Sequence, residues 1–157
     1  KLLRNQGMES RYANEIVGFN ARMSDIHAAI GRVQLGRLQG WTESRRRNAA
    51  FLDSALRGVL TPYVTPGVFH VYHQYTIRIV DHDRDRFSAE LSRLGIPSAV
   101  YYPTPVHQLT SFGQTLDLPE TSFAAEQVLS LPIHPGLGTN DLERIVNAVN
   151  QLTNAGA

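Results

Sequence analysis

The chain has 157 residues, 42% of them apolar and 18% charged, the size and composition of one globular domain. It contains no cysteine, which excludes disulfides, thiolate metal sites and a thiol nucleophile. Its 15 basic and 14 acidic side chains leave a net charge of +1, against any general role on nucleic acid or at a membrane surface, and no stretch reaches the roughly 20 apolar residues of a membrane span.

Residues Lys1–Phe19 are apolar at Leu2, Leu3, Met8, Ile16, Val17 and Phe19 but show no sustained period. Gly7 and Gly18 mark turns or close backbone approaches. From Ser24, a good N-cap followed by Asp25 at the positive end of the dipole, the spacing predicts a helix to about residue 57. Ile26, Ile30, Val33, Leu38, Trp41, Leu52, Ala55 and Leu56 carry its period, and Gly58 is the expected C-cap. Such a helix is about 50 Å long at 1.5 Å per residue, so a bend near Gly40 is expected. Gly31, Gly36 and Gly40 each weaken it; a tolerated cost with close packing is the expected reason for their presence, and a hinge between two layers is the alternative.

Pro62, Pro66 and Gly67 mark a loop. Val71–Val80 follows as a strand with Val71, His73, Tyr75, Ile77 and Ile79 on one face. A capping-rich turn at Asp81–Asp85 leads into an amphipathic helix, Arg86–Leu94, closed by Gly95. Ile96–Tyr102 is the next strand, and Pro103-Thr-Pro105 a stiff loop, since each proline fixes φ. A short helix from Thr121 or Ser122 to about Val128, a strand at Leu129–Ile133 and a helix capped by Thr139 complete the order. That last helix carries Leu142, Ile145, Val146, Val149 and Leu152 at its core positions, with fraying from Thr153. Beyond residue 70 the alternation of strand and helix predicts an α/β layer of three strands.

Four groups of residues are candidates for chemistry. Gly18-Phe-Asn-Ala-Arg-Met-Ser24 places an amide, Asn20, and a guanidinium, Arg22, just before a helix start, where free N–H groups favour an oxyanion or phosphate. The alternative is a capped helix start with surface polar groups. Tyr101-Tyr-Pro-Thr-Pro-Val-His107 holds Tyr102 and His107 on a rigid loop after a strand end, a common place for ligands in α/β sheets. The alternative is a buried aromatic pair with a surface histidine. Arg45-Arg46-Arg47 reads as a solvated helix face, with a local anion patch as the alternative. His70, His73, His107 and His134 lack zinc-site spacing, so no metal is expected. No nucleotide-binding glycine motif and no nucleophile elbow is present.

Seven segments, taken together and in order, carry a resemblance. They are Leu2-Leu-Arg-Asn-Gln-Gly-Met8, Val17-Gly-Phe-Asn-Ala-Arg-Met-Ser24, Ala28-Ala-Ile-Gly31, Gln34-Leu35, His70-Val-Tyr-His-Gln-Tyr75, Tyr102-Pro-Thr-Pro-Val-His107 and Leu129-Ser-Leu-Pro-Ile-His-Pro135. The sequence resembles the DegT-type (DegT/DnrJ/StrS) sugar aminotransferases, pyridoxal-phosphate enzymes of the aspartate-aminotransferase fold. The resemblance implies the C-terminal part of that fold: the tail of the large cofactor domain at 1–23, a connecting helix at 24–57 and the small α/β domain at 58–157. It implies an enzyme that moves an amino group from an amino acid, usually glutamate, to a keto-sugar nucleotide. Asn20 would reach the cofactor phosphate of the neighbouring subunit in a homodimer, with Arg22 near the same site. His107, and with it Tyr102, would contact the substrate.

The family's Schiff-base lysine lies upstream of the Leu2–Met8 segment. Lys1, the only lysine among 15 basic residues, does not match it. The chain alone is therefore expected to hold no cofactor and to be inactive, and no catalytic residue is assigned. Some relatives have lost that lysine and act as sugar dehydratases. A stand-alone α/β binding module is the reading from a different class. A cytoplasmic location is the expectation.

Overall fold

The structure is a computed structural model and describes residues 1–10, 13–113 and 116–154. These residues divide into two units, Lys1–Gln39 and Gly40–Ala157.

In the first unit the chain crosses over itself. Strand β1 (Met8–Ser10) pairs antiparallel with β2 (Ala13–Asn14), and Asn5 bridges Asn20. The two glycines make the crossing possible. Gly7 has φ +75°, and a Cβ there would stand 1.6 Å from the Ile16 carbonyl oxygen; a Cβ on Gly18 would stand 2.3 Å from the Gly7 nitrogen. Only a hydrogen fits at either position, as the sequence suggests. The crossing is then laced by backbone bonds, from the Gln6 N–H to the Phe19 carbonyl (2.8 Å) and from the Glu15 N–H to the Gly7 carbonyl (2.8 Å).

Helix α1 (Asp25–Ala55) starts where expected. The Ser24 carbonyl accepts from the Ala28 N–H at 2.9 Å, and the Ser24 hydroxyl accepts from the His27 N–H at 3.4 Å. The helix runs without interruption through Gly31, Gly36 and Gly40, and a Cβ on any of the three would meet nothing within 4 Å. Close packing within this chain therefore does not explain these glycines. In the first unit Ile26 is 73% exposed and Val33 60%, so the periodic apolar face of this part of the helix is open.

In the second unit the rest of α1 becomes a core helix, with Ala49 and Leu52 fully buried. β3 (Tyr75–Arg78) pairs antiparallel with β4 (Val128–Leu131) in register, Tyr75 opposite Leu131 and Arg78 opposite Val128. Single bridges extend this pair on both sides, Leu60 to Arg78 and Ala99 to Ser130. The expected second strand over Ile96–Tyr102 thus shrinks to one bridge at Ala99. Two strands with flanking bridges replace the predicted three-strand layer.

The predicted Val71–Val80 strand is shortened for a local reason. Tyr72 takes φ +46°, a left-handed conformation that breaks strand alternation. Tyr72 is buried while Val71 and His73 are exposed, and the expected inward face holds only from Tyr75 through Ile77 to Ile79. The kink has a frame. Arg46 donates to the His70 carbonyl at 2.8 Å and lies over the Phe69 ring, 4.2 Å from its centre, while the His70 imidazole accepts from the Tyr72 N–H at 2.9 Å. Arg46 is therefore a structural cation. The expectation of a solvated arginine run fails at this residue.

α2 (Arg84–Arg93) is capped by Asp83, whose carboxylate accepts from the Arg86 N–H at 2.7 Å. It closes on Gly95 with φ +75°, the Ile96 N–H reaching back to the Leu91 carbonyl at 2.9 Å. α3 (Pro119–Gln127) begins with proline in its first turn. The nearly buried Arg84 guanidinium donates to the Ala125 and Val128 carbonyls, both at 3.0 Å, satisfying the end of α3.

α4 (Thr139–Asn154) buries Leu142, Ile145, Val146 and Val149 as expected. Its cap differs from the sequence reading. The Gly138 carbonyl receives the first helical bond from Leu142, and the Asp141 carboxylate accepts from the Gly138 N–H at 3.0 Å. Thr139 lies inside the helix. Thr153 is not frayed: it is buried and its hydroxyl donates to the Arg57 carbonyl at 3.2 Å. Asn150 accepts from the Arg57 N–H at 2.8 Å and donates to the Ala55 carbonyl at 3.0 Å, so the last turn of α4 clasps the end of α1. Gly58, at φ +68°, completes the clasp, since a Cβ there would stand 2.6 Å from Thr153 Cβ.

One buried polar pair gives this unit a pH signature. Tyr75 is fully buried and its hydroxyl donates to Asp53 Oδ1 at 2.6 Å. Burial, then the bond to Asp53 and its charge, raise the phenol well above the usual tyrosine value. The folded protein thus holds this proton more tightly than the unfolded chain does. The stabilisation is complete below pH 10 and is lost as pH rises beyond it. Tyr75→Phe is expected to remove this part of the alkaline fall in stability, read as unfolding midpoints between about pH 9 and 11. An identical alkaline fall in both proteins would show that Tyr75 is not its source.

Candidate functional site

The backbone before α1 is pinned before any side chain acts. The Phe19 N–H donates to the Leu3 carbonyl at 2.6 Å and the Ala21 N–H to the Arg4 carbonyl at 2.9 Å, fixing the Gly18–Ala21 segment against the opening turn. Arg22 Nε then donates to Asn20 Oδ1 at 3.1 Å. This bond orients the pair. It uses the amide oxygen of Asn20 and one guanidinium nitrogen. The Asn20 Nδ2 group and the outer nitrogens of Arg22 have no protein partner among the described residues. They are exposed donors at the positive end of a 31-residue helix. Arg22 also borders a cavity of about 690 Å³ with Lys1, Arg4 and Asn5, where Glu9 is the sole lining carboxylate. Asn20 does not line this cavity, but the cationic groups around it and the exposed Asn20 amide bonded to Arg22 have the chemistry that suits a phosphate group.

Tyr102 and His107 lie in the second unit. Tyr102 takes φ +56° and is 77% exposed, and Tyr101 is also exposed, so these residues are not a buried aromatic pair. Pro105 precedes a 3-10 turn at Val106–Gln108, and its carbonyl accepts from the Gln108 N–H at 2.9 Å. His107 sits within that turn. Its Nε2 atom is buried without a hydrogen-bond partner among the described residues. A buried imidazole nitrogen left open is ready to meet a ligand hydroxyl or a further protein group. Asn20 and Arg22 thus form one pair in the first unit, and Tyr102 and His107 stand close in sequence in the second.

Sequence reasoning missed a further set. Arg45, His73 and His134 line one cleft of the second unit. The sequence offers the arginine run as a solvated face or a local anion patch and the histidines only as a set without metal spacing, and gives no sign that they share a cleft. Among the described residues no group of histidines and carboxylates is arranged to hold a metal ion, and no helix is long and apolar enough to cross a membrane.

The fold is part of the pyridoxal-phosphate aminotransferase fold. The chain superposes on the crystal structure of Streptomyces venezuelae DesV with a TM-score of 0.89 and 33% identity, over 97% of this chain and 42% of that one. Residues 1–150 match the model of the DegT/DnrJ/EryC1/StrS aminotransferase family, and the chain belongs to that family.

Among curated relatives, a pleiotropic regulatory protein of Geobacillus stearothermophilus is 36% identical over 95% of this chain and 42% of its own length. The UDP-N-acetyl-3-dehydro-alpha-D-glucosamine 3-aminotransferase of Acidithiobacillus ferrooxidans is 34% identical over 95% of this chain and 41% of its own. The chain therefore spans about two fifths of the length of the relatives it matches. The family implies pyridoxal phosphate for its full-length enzymes. The Asn20–Arg22 donors fit the phosphate of that cofactor.

Proposed function

We propose that this chain is the C-terminal part of a pyridoxal-phosphate-dependent sugar aminotransferase. In this reading residues 1–23 end the large cofactor domain, 24–57 form the connecting helix and 58–157 the small domain. The whole protein works as a cytoplasmic homodimer, taking nitrogen from an amino acid, glutamate in the first instance, and delivering it to a keto-sugar nucleotide. The observation that carries the reading is the Asn20–Arg22 pair, an oriented amide and guanidinium with free donors before α1.

In this reading Asn20 donates its amide to a cofactor phosphate oxygen of the neighbouring subunit. Arg22 holds the Asn20 amide in that orientation and adds positive charge. His107 offers its buried Nε2 and Tyr102 its exposed phenol to the substrate. These residues bind and orient. The bound cofactor supplies the electron sink, and proton transfer falls to a lysine outside these 157 residues. The 157-residue chain by itself is accordingly inactive. The open face of α1, with Ile26 and Val33 exposed, favours a part that packs against further protein over a self-contained binding module.

The test uses the protein extended upstream to the length of its relatives. Glutamate-dependent amination of a keto-sugar nucleotide is the expected activity. Asn20→Ala is expected to weaken pyridoxal phosphate by about tenfold or more, the cost of one charge-assisted hydrogen bond. Unchanged cofactor affinity in that variant would remove Asn20 from the phosphate site.

A further inference from the structure

A second polar site lies wholly within the second unit. It is a cleft of about 390 Å³ whose polar lining includes Arg45, His73, Gln74, Ser98, Tyr101 and His134. No aspartate or glutamate lines it. Every one of these six side chains can donate a hydrogen bond. One is permanently cationic and two can become so.

The fold explains why these residues meet. The floor is the Ala99–Ser130 bridge, closed in both directions by backbone bonds of 3.0 and 2.8 Å. Ser130 is held from beneath by Thr76, hydroxyl to hydroxyl at 2.8 Å. Pro97 and Pro132 stiffen the two walls. Asn48 fixes the remaining side: its Nδ2 donates to the His134 carbonyl at 3.2 Å. Arg45 is three residues from Asn48 on the same helix, so the two share a face. Arg45 and His134 line the same cleft. Arg45 makes no hydrogen bond or ion pair with the described residues. Its neighbour Arg46 is committed to His70 and Phe69, and Arg47 donates to Ser44 at 2.9 Å. The three-arginine run therefore divides its roles, and only Arg45 is left for a ligand in this cleft.

We propose that this cleft binds an oxyanion, a carboxylate or phosphate group of a small molecule, with Arg45 as its principal charge and His73 and His134 as flanking donors. A rigid floor, proline walls and donors without a competing carboxylate are the arrangement such a group requires. This assignment stands apart from the cofactor reading: it uses none of Asn20, Arg22, Tyr102 or His107.

The test is a titration of the isotope-labelled 157-residue chain with inorganic phosphate, pyrophosphate and glutarate, following amide and imidazole resonances. Saturable shifts are expected at His73, His134 and the segments 97–101 and 130–134. Response to the phosphates alone marks a phosphoryl ligand, response to glutarate alone a dicarboxylate, and response to both the shared chemistry. Arg45→Gln is expected to weaken binding about tenfold, whereas Arg47→Gln, with the same loss of charge on the same helix, should leave it unchanged. If Arg45→Gln does not give a folded spectrum, His73→Gln carries the same direction of effect. Shifts confined to residues 20–24 would instead report the cofactor-phosphate site. That result, an absence of saturable shifts in the cleft, or equal weakening by both arginine variants overturns the proposal.

Discussion

Leu52→Ala is expected to destabilise the second unit by about 2–5 kcal/mol, a large share of the roughly 5–15 kcal/mol that holds a domain folded. Leu52 is fully buried in the cluster that also contains Ile77, Leu129 and Val149. With Ala49 it is the part of α1 that shares one apolar core with inward residues of β3, β4 and α4. Truncation removes the transfer energy of its lost methyl groups and leaves a void, because residues fixed on four elements cannot all close inward. Urea unfolding followed by far-ultraviolet circular dichroism measures the loss. A change below about 1 kcal/mol would mean that the core repacks freely at this point and that α1 is not its organising element.

The second large effect belongs to the first unit. Gly7→Ala is expected to abolish the crossing of the opening segment while leaving the second unit intact. Two costs coincide there. The left-handed φ costs an alanine about 1 kcal/mol, and the added carbon would lie 1.6 Å from the Ile16 carbonyl oxygen. That obstacle is backbone, so no rotamer change relieves it. Amide exchange reads the outcome directly. Protection of the Glu15 and Gln6 N–H groups should disappear while that of Ile77 and Leu129 persists. Retained protection at Glu15 would show that the crossing tolerates a side chain. Because Asn20 and Arg22 are held by the same crossing, the substitution should also disorganise the donor pair.

Much of this structure was legible from local chemistry. Ser24, Asp83 and Gly95 announce helix ends through capping groups that act within a few residues of themselves. The core face of α4 follows from a period of 3.6, which needs no knowledge of the partner surface. What failed had non-local causes. The kink at Tyr72 depends on Arg46, 26 positions away in the chain and on another element. The Ile96–Tyr102 segment has strand composition but keeps one bridge, at Ala99, because pairing is set by the neighbouring strand. Gly31, Gly36 and Gly40 suggest close packing, and their surroundings within this chain are empty.

The candidate site divides in the same way. Asn20 and Arg22 were visible because their geometry is local, two residues apart before a helix cap. The buried nitrogen of His107 was not, since burial is a property of the whole unit. Arg45 was hidden by its neighbours: three identical residues in a row have one composition and three different environments. Family resemblance supplied a meaning that spacing alone did not, and the match to the family model bears out the family itself.

The clasp between α1 and α4 has a consequence for how the protein is made. Its hydrogen bonds join residues 93 to 96 positions apart, Arg57 to Asn150, Ala55 to Asn150 and Arg57 to Thr153. Leu52 and Ile77 share their core with residues of the same last helix. On a ribosome, the first partners of this core emerge long before the helix that covers them. The nascent second unit must therefore wait, with apolar surface uncovered, until α4 has been synthesised. Closing so long a loop adds little to its equilibrium cost but delays the folding event. That interval, set by the order in which the chain is synthesised, is when the protein is most exposed to chaperones and to aggregation.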